Sequence, residues 1–516
     1  MRVPILILTL LGSALAAGCA TPPTSNVNAA SIDPETGLPE WVVRGVPAGE
    51  DHDHDDPMQH LGLSTPNFHE VGWDPLITDR YGTSATGMGC GGTGVTKEGR
   101  KLALVHTIAT EVSLIVADIT DPAHPQKLGE YLMPNAVIWD ATITPDGKHA
   151  LVGAYPFALS GRGFVLPPNV PAGTFGAPSG QSFPFQLQFR DACTGETKNA
   201  GAEQYLPFGP GIVMIGLQDP KDPKFEDWVT QPAIGPHSVS AHAIDGHVYV
   251  SSSVTNLQHE ASYYSFFEIM ETPAGGKLVP LSVIEVPGHP GLTVLNGHTD
   301  VYLAKHPVTR KLTAWLANWD ATYIYDMSDM KMPKQLSEWR DGNAGSVHST
   351  LPLTDLRNGK HYTIVGQEVG EPKDLPSGWL YILDDTDPTK PQEVGRWTIP
   401  LKVPWRGANN SGGGLSFSPH YFAVQNDTLL VSNYHGGLWA VDISDITHPD
   451  AIGLFVPDKI SPKPYGGKAN GPGIEDVLID PDTGIITVWG NGSGVYQLTF
   501  DAASPMVKPV AWQDAH

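Results

Sequence analysis

Apolar and polar residues alternate with a period of two along most of this chain, in short runs interrupted by Gly, Pro, Asn and Asp. That period predicts strands, and extended helical spacing is hard to find. One unit recurs: an apolar strand ending in Asp, a turn containing Pro, and a second strand ending in a large apolar residue. It reads SLIVADITDPAHPQKLGEY at 113–131, VMIGLQDPKDPKFEDW at 213–228, YIYDMSDMKMPKQLSEW at 323–339, LYILDDTDPTKPQEVGRW at 380–397 and LWAVDISDITHPDAIGLF at 438–455. Divergent copies lie at 264–286 and 495–512. Proline fixes φ and the Asp carboxylate accepts backbone N–H groups, so each turn is specified locally. Trp228, Trp339, Trp397, Phe455 and Trp512 end these units and are expected to plug the outer rim between them. Two more strands precede each unit, as in ATITPDGKHALVGA (141–154), AHAIDGHVYVSS (241–252) and SPHYFAVQNDTLLVSNYHGG (418–437). Four strands per unit and seven units predict an all-β, seven-bladed β-propeller of four-stranded blades. The last unit reads as containing all four of its own strands, so the ring is expected to close without a strand from the N-terminus.

The first residues alter the picture at one end. Arg2 and the apolar stretch from Val3 to Leu11 have the form of an export signal, and the stretch is too short to span a bilayer. Ala16-Ala17-Gly18-Cys19 resembles the lipobox of bacterial lipoproteins, with Ala16 where Leu is usual. That resemblance implies a signal peptide over 1–18, lipidation of Cys19 and an extracytoplasmic, lipid-anchored body facing the periplasm or cell exterior. Residues 19–75 read as a flexible acidic tether, rich in Pro, Asn, Ser and acidic residues. The propeller is assigned to 76–516, with an insertion at 157–210 in blade 2 that is expected to wall one face. With Cys19 lipidated, Cys90 and Cys193 either form one disulfide, or Cys90 in its Gly-rich run is a reactive or metal-binding thiol. The net charge of -24 repels phosphate backbones and argues against nucleic acid. The chain is read as a monomer that meets the membrane through its lipid alone.

The runs SLIVADITDP and LWAVDISD resemble the repeat of the LVIVD-repeat proteins, bacterial cell-surface or periplasmic propellers. The resemblance covers roughly residues 100 to 512 and implies fold and location. A shorter stretch, SNYHGGLWAVDISD, is similar to the selenium-binding protein family, which includes methanethiol oxidases with a metal-dependent propeller.

Candidate chemistry gathers where innermost strands begin. Those starts are Trp139 and Asp140, then His237 and His242, His298, His348, His420, and Glu475 with Asp476. His237 and His348 each follow the preceding rim Trp by nine residues, which makes them equivalent in the repeat. Four imidazoles at matching starts, His237, His298, His348 and His420, would converge on the axis and suit Fe, Cu, Mn or Zn. Glu475 or Asp476 would be a fifth ligand or would orient an imidazole. Asp140 with Glu475 or Asp476 would alternatively supply a carboxylate pair for acid/base chemistry. Strand-initial histidines also close propellers structurally, by hydrogen bonds between blades. His435, Gln367 and Glu368 end second strands and are candidates, with His242 and Trp139, for contact with a polar substrate. The tract from Glu50 to Asp56, EDHDHDD, is read as a solvated linker that can trap metal. No phosphate loop, GxSxG elbow or dinucleotide fingerprint is present. Two function classes follow: a metal-dependent oxidoreductase or lyase acting on a small organic substrate, or a non-catalytic envelope propeller that binds a protein or glycan.

Overall fold

The computed structural model describes residues 64–77, 91–106, 111–134, 136–156, 188–190, 197–199, 211–231, 235–255, 261–287, 300–318, 321–340, 347–368, 378–399, 418–434, 436–459, 473–491 and 493–502. They form seven four-stranded antiparallel sheets, the blades of a β-propeller. Blade 1 comprises Thr93–Val95, Lys101–His106, Glu111–Asp118 and Gln126–Pro134; blade 2, Ala136–Ile143, His149–Pro156, Gly211–Gly216 and Lys224–Thr230. Blade 3 comprises Gly235–Ile244, His247–Thr255, Ala261–Thr272 and Gly275–Pro287; blade 4, Val301–Lys305, Leu312–Asn318, Ala321–Asp326 and Lys334–Arg340. Blade 5 comprises Val347–Pro352, Tyr362–Gln367, Leu380–Asp384 and Gln392–Trp397; blade 6, Phe422–Gln425, Thr428–Ser432, Leu438–Asp442 and Asp450–Phe455. Blade 7 comprises Gly473–Ile479, Ile486–Asn491, Gly494–Phe500 and Phe68–Asp74. First strands touch in succession from blade 1 to blade 5, and again between blades 6 and 7, so they line the axis. Within the blade 2 insertion, Gln188–Arg190 pairs with Thr197–Asn199 as a separate ribbon.

The period of two explains the near-continuous apolar runs. In blade 6, Leu429, Val431, Trp439 and Val441 pack toward Ile364, Ile382 and Trp397 of blade 5. Their neighbours Leu430, Leu438 and Ala440 pack toward Ile474, Val488 and Leu498 of blade 7. Successive side chains therefore feed two different cores, and each buried Leu, Ile or Val contributes about 1.5–3 kcal/mol. The Asp turns are equally regular. Asp121, Asp219, Asp329, Asp387 and Asp445 each accept the N–H of the residue two positions on, at 2.9–3.1 Å. Each also closes an i to i+3 backbone bond. A glycine in the preceding blade's outer strand admits the turn: a Cβ on Gly129 would lie 2.3 Å from the Pro220 carbonyl oxygen, and one on Gly395 2.1 Å from that of Ile446. Trp228, Trp397 and Phe455 are buried as the rim reading expects, whereas Trp339 is half-buried.

The expectation for ring closure is overturned. The outer strand of blade 7 is Phe68–Asp74, which lies inside the stretch assigned to the tether and pairs antiparallel with Gly494–Phe500. Phe68 packs in tilted contacts against Phe500 and Phe455 with centroids 4.6 and 6.2 Å apart, and the Trp73 indole donates to the Ser493 carbonyl. Just ahead of it, the Thr65 hydroxyl and Asn67 amide donate to the Leu454 and Ile452 carbonyls of blade 6. A blade built from both chain ends leaves no open seam between first and last blades, which is why this pairing prevails. The segment 503–512, including Trp512, lies outside the described residues, as do residues 1–63, Cys90 and Cys193.

Candidate metal centre at the channel mouth

The first strands share a local irregularity. Pairing between first and second strands skips one residue in blades 2, 3, 5 and 7: Trp139, His237, His348 and Glu475. In blade 6 the His420 N–H and the Tyr421 carbonyl both bond to the Ser432 main chain, so His420 is the extra residue there. A β-bulge re-aims the side chain it frees from the ladder. The bulge explains why residues at matching strand starts can turn to a common place.

Two of the four expected imidazoles meet there. His348 and His420 stack with ring centroids 4.5 Å apart, and both are buried. The third partner is Glu368, just past the second strand of blade 5. Its carboxylate lies 3.5 Å from His348 Nε2 and 3.9 Å from His420 Nε2. These three groups present one donor atom each within 4.8 Å of one another. The gaps are long for hydrogen bonds and near the roughly 3.4 Å that separates two ligands on a tetrahedral ion with bonds of about 2.0–2.1 Å. The His420 Nδ1 donates to the Glu475 main-chain carbonyl at 2.8 Å, which turns Nε2 toward Glu368. The Tyr434 phenol donates to Glu368 Oε1 at 2.5 Å and its ring lies 4.8 Å from His420. Two imidazoles and a carboxylate in a buried pocket therefore fit a divalent transition metal.

The remaining expected residues fall around this group or away from it. His237 is buried and sits perpendicular to His348 at 6.2 Å, reaching over blade 4, but it is outside the three-donor set. His298 and His435 lie outside the described residues, and only the backbone position of Trp139 is described. His242 is five residues further along its strand than His237, roughly 16 Å at strand rise. Its Nε2 meets the Ser251 hydroxyl at 2.9 Å, its ring packs on Tyr302, and burial lowers its pKa to about 4. Gln367 clasps Trp379: its Oε1 accepts the Trp379 N–H at 3.1 Å, a role internal to blade 5. Glu475 contributes its carbonyl to His420, an orienting role that the sequence assigned to its carboxylate.

Asp140 and Asp476 join a carboxylate the sequence analysis missed, Asp300. Asp140 accepts the Val239 N–H of blade 3 at 2.8 Å, and Asp476 accepts the Gly91 N–H at 3.3 Å. Desolvation pushes Asp140 up to about 7 and Asp300 to about 6, and holds Asp476 well above the usual carboxylate range; neighbouring carboxylates add to the rise at Asp140 and Asp476. The folded state thus holds more protons than the unfolded chain between about pH 4 and pH 7, and stability must fall as pH rises through that window. Asp140→Asn is expected to leave stability nearly unchanged near pH 4 and to raise it by about 4 kcal/mol at pH 8. Urea midpoints of both proteins at the two pH values check this; an equal difference at both would refute it.

A second His/Asp group, His306, His361 and Asp385, is also buried. There most of the donors are already engaged by the surrounding core. His306 Nε2 meets the Asp385 carbonyl at 2.9 Å while its Nδ1 accepts from Val308 and Thr309. His361 Nε2 meets the Leu353 carbonyl at 2.9 Å and its Nδ1 lies 2.7 Å from Asp385 Oδ1. Asp385 Oδ2 accepts from Trp315 and Thr363, each at 2.9 Å. Most of this cluster's polar atoms are thus engaged within the core, and only the His361 Nδ1 and Asp385 Oδ1 pair is brought together without hydrogen-bond geometry.

No family model matches the chain, and no curated protein matches it in sequence. Among solved structures, a periplasmic gluconolactonase of Pseudomonas aeruginosa aligns over 71% of this chain and 86% of that one, with 11% identity and a TM-score of 0.43. Raptor of Chaetomium thermophilum aligns over 84% of this chain and 29% of that one, with 12% identity and a TM-score of 0.42.

Proposed function

We propose that this protein is a metal-dependent propeller enzyme, an oxidoreductase or lyase, acting on a small organic substrate at the channel mouth. His348, His420 and Glu368 would hold the metal, and His237 stands beside them. The observation that carries this reading is the three-donor set, with His420 oriented by the Glu475 carbonyl. Held by two nitrogens and one carboxylate, such a metal would supply Lewis-acid or redox chemistry toward O2, water or a substrate oxygen. That donor set favours Fe(II), with Mn, Zn and Cu as the alternatives. The chain's own part is to exclude water around buried donors and to fix the imidazole tautomer. The Asp-Pro repeat supports placing the chain with LVIVD-repeat propellers, and Cys19 supports an extracytoplasmic, lipid-anchored body, which we take to act as a monomer.

A second reading rests on the hydrogen bonds between blades at the same mouth. Ser349 donates its hydroxyl to the His420 carbonyl, and the Asp300 N–H donates to that of His348. On that reading the strand starts hold the ring, and the faces bind an envelope protein or glycan. Metal content by elemental analysis separates the two. The His348→Ala/His420→Ala variant is expected to lose about one equivalent relative to wild type, and the tract at 50–56 is common to both proteins. Equal metal in two folded proteins would favour the binding reading.

A further inference from the structure

We infer that Tyr434 is a positioning residue for the metal centre: its phenol holds the Glu368 carboxylate in the orientation that faces His348 and His420. This inference rests on the proposed metal site.

Three observations carry it. The first is the contact: Tyr434 donates to Glu368 Oε1, which leaves Oε2 as the oxygen nearer His348. Glu368 lies beyond the last paired residue of its strand, so the ladder does not fix its side chain. A phenol anchored elsewhere can supply that order. The second observation is how Tyr434 is anchored. Its N–H donates to the Ile474 carbonyl at 2.8 Å and its carbonyl accepts the Ile474 N–H at 2.9 Å, a bridge from blade 6 to blade 7. Ile474 directly precedes Glu475, whose carbonyl orients His420. One backbone junction therefore places both groups that steer the donors.

The third observation is conformational. Tyr434 has φ of +45°, a region where a bulky side chain is strained and Gly or Asn would be at ease. Strain of that kind persists where surrounding structure over-determines it, and it clusters at functional sites. The turn that follows is closed by bonds from Gly436 to Asn433 and from Gly437 to Tyr434, and neither needs a phenol. The side chain therefore has a reason to be there that the turn does not supply. Its hydroxyl reaches a carboxylate of the neighbouring blade, and its ring covers His420.

The experiment uses the full chain and Co(II), which reports ligand geometry in its visible spectrum. Wild type, Tyr434→Phe, Glu368→Gln, the Tyr434→Phe/Glu368→Gln pair and His348→Ala/His420→Ala are compared by competition titration and absorbance. The double-histidine variant is the blank for metal held by residues 50–56. Tyr434→Phe is expected to lower affinity about 10- to 100-fold and to change the spectrum in a protein that stays cooperatively folded, with a modestly lowered unfolding midpoint from the unpaired carboxylate. In the Glu368→Gln background the same change is expected to do nothing further, because its effect runs through that carboxylate. Wild-type affinity and spectrum in Tyr434→Phe, with Co(II) lost in the double-histidine variant, would overturn the positioning role and leave the metal site standing. Equal Co(II) binding in wild type and the double-histidine variant would remove the site and this inference together.

Discussion

A chain beginning at residue 76 is expected to lose the cooperative unfolding transition of the full chain and to aggregate. The strand removed, Phe68–Asp74, is the outer strand of a blade whose other three strands come from the C-terminal end. Its loss exposes the edge of Gly494–Phe500, an unpaired row of backbone donors and acceptors. It also removes the contacts of Thr65 and Asn67 with blade 6 and the docking of Gly72 against the Pro122 turn of blade 1. The seam between three blades is thus undone at once. Within the full chain, Phe68→Ala alone is expected to cost about 3–5 kcal/mol, since the ring is buried between Phe455 and Phe500. Denaturant unfolding and gel filtration check both. A truncated chain that stays monomeric with the full-length midpoint would contradict the closure described.

Asp385→Ala is expected to destabilise by about 3–5 kcal/mol while leaving metal content unchanged. In other blades the corresponding residue is apolar: Ile119, Leu217, Met327 and Ile443, all buried. In blade 5 a fully buried Asp occupies that slot and meets His361, Trp315 and Thr363. Removing it leaves an indole N–H and a hydroxyl without their acceptor in a dry core and takes the carboxylate away from His361, which costs more than the hydrogen bonds were worth. Asp385→Asn is expected to lose less, because its carbonyl oxygen still accepts from Trp315 and Thr363. Denaturant midpoints give the cost. Loss of a metal equivalent in Asp385→Ala would show that His306, His361 and Asp385 bind an ion after all.

Both features left traces in the sequence that went unread. The outer strand of blade 7 contains Glu70-Val71-Gly72-Trp73, nearly the Glu393-Val394-Gly395-Arg396-Trp397 of blade 5. Gly72 and Gly395 serve the same purpose, admitting the next blade's turn. The match was hidden because the strand stands apart from its unit, next to a polar stretch. Asp385 was visible as a charged residue in an apolar slot of the repeat, although its partners were not.

Blade number, strand order within a blade and the Asp turns were decided by the sequence alone. They depend on a period of two and on hydrogen bonds between residues two or three apart, and local physics reports both. The candidate site was legible only in part. His348 and His420 could be aligned through the repeat, because equivalent strand starts carry equivalent bulges. Glu368 is legible as a polar strand end but not as their partner, and the pairings of Tyr434 and Asp300 carry no signal along the chain. Which side chains meet at the mouth, and which chain end closes the ring, was decided only by the tertiary structure. Those contacts join different blades across the axis or across the seam, and no periodicity along the chain records a distance of that kind.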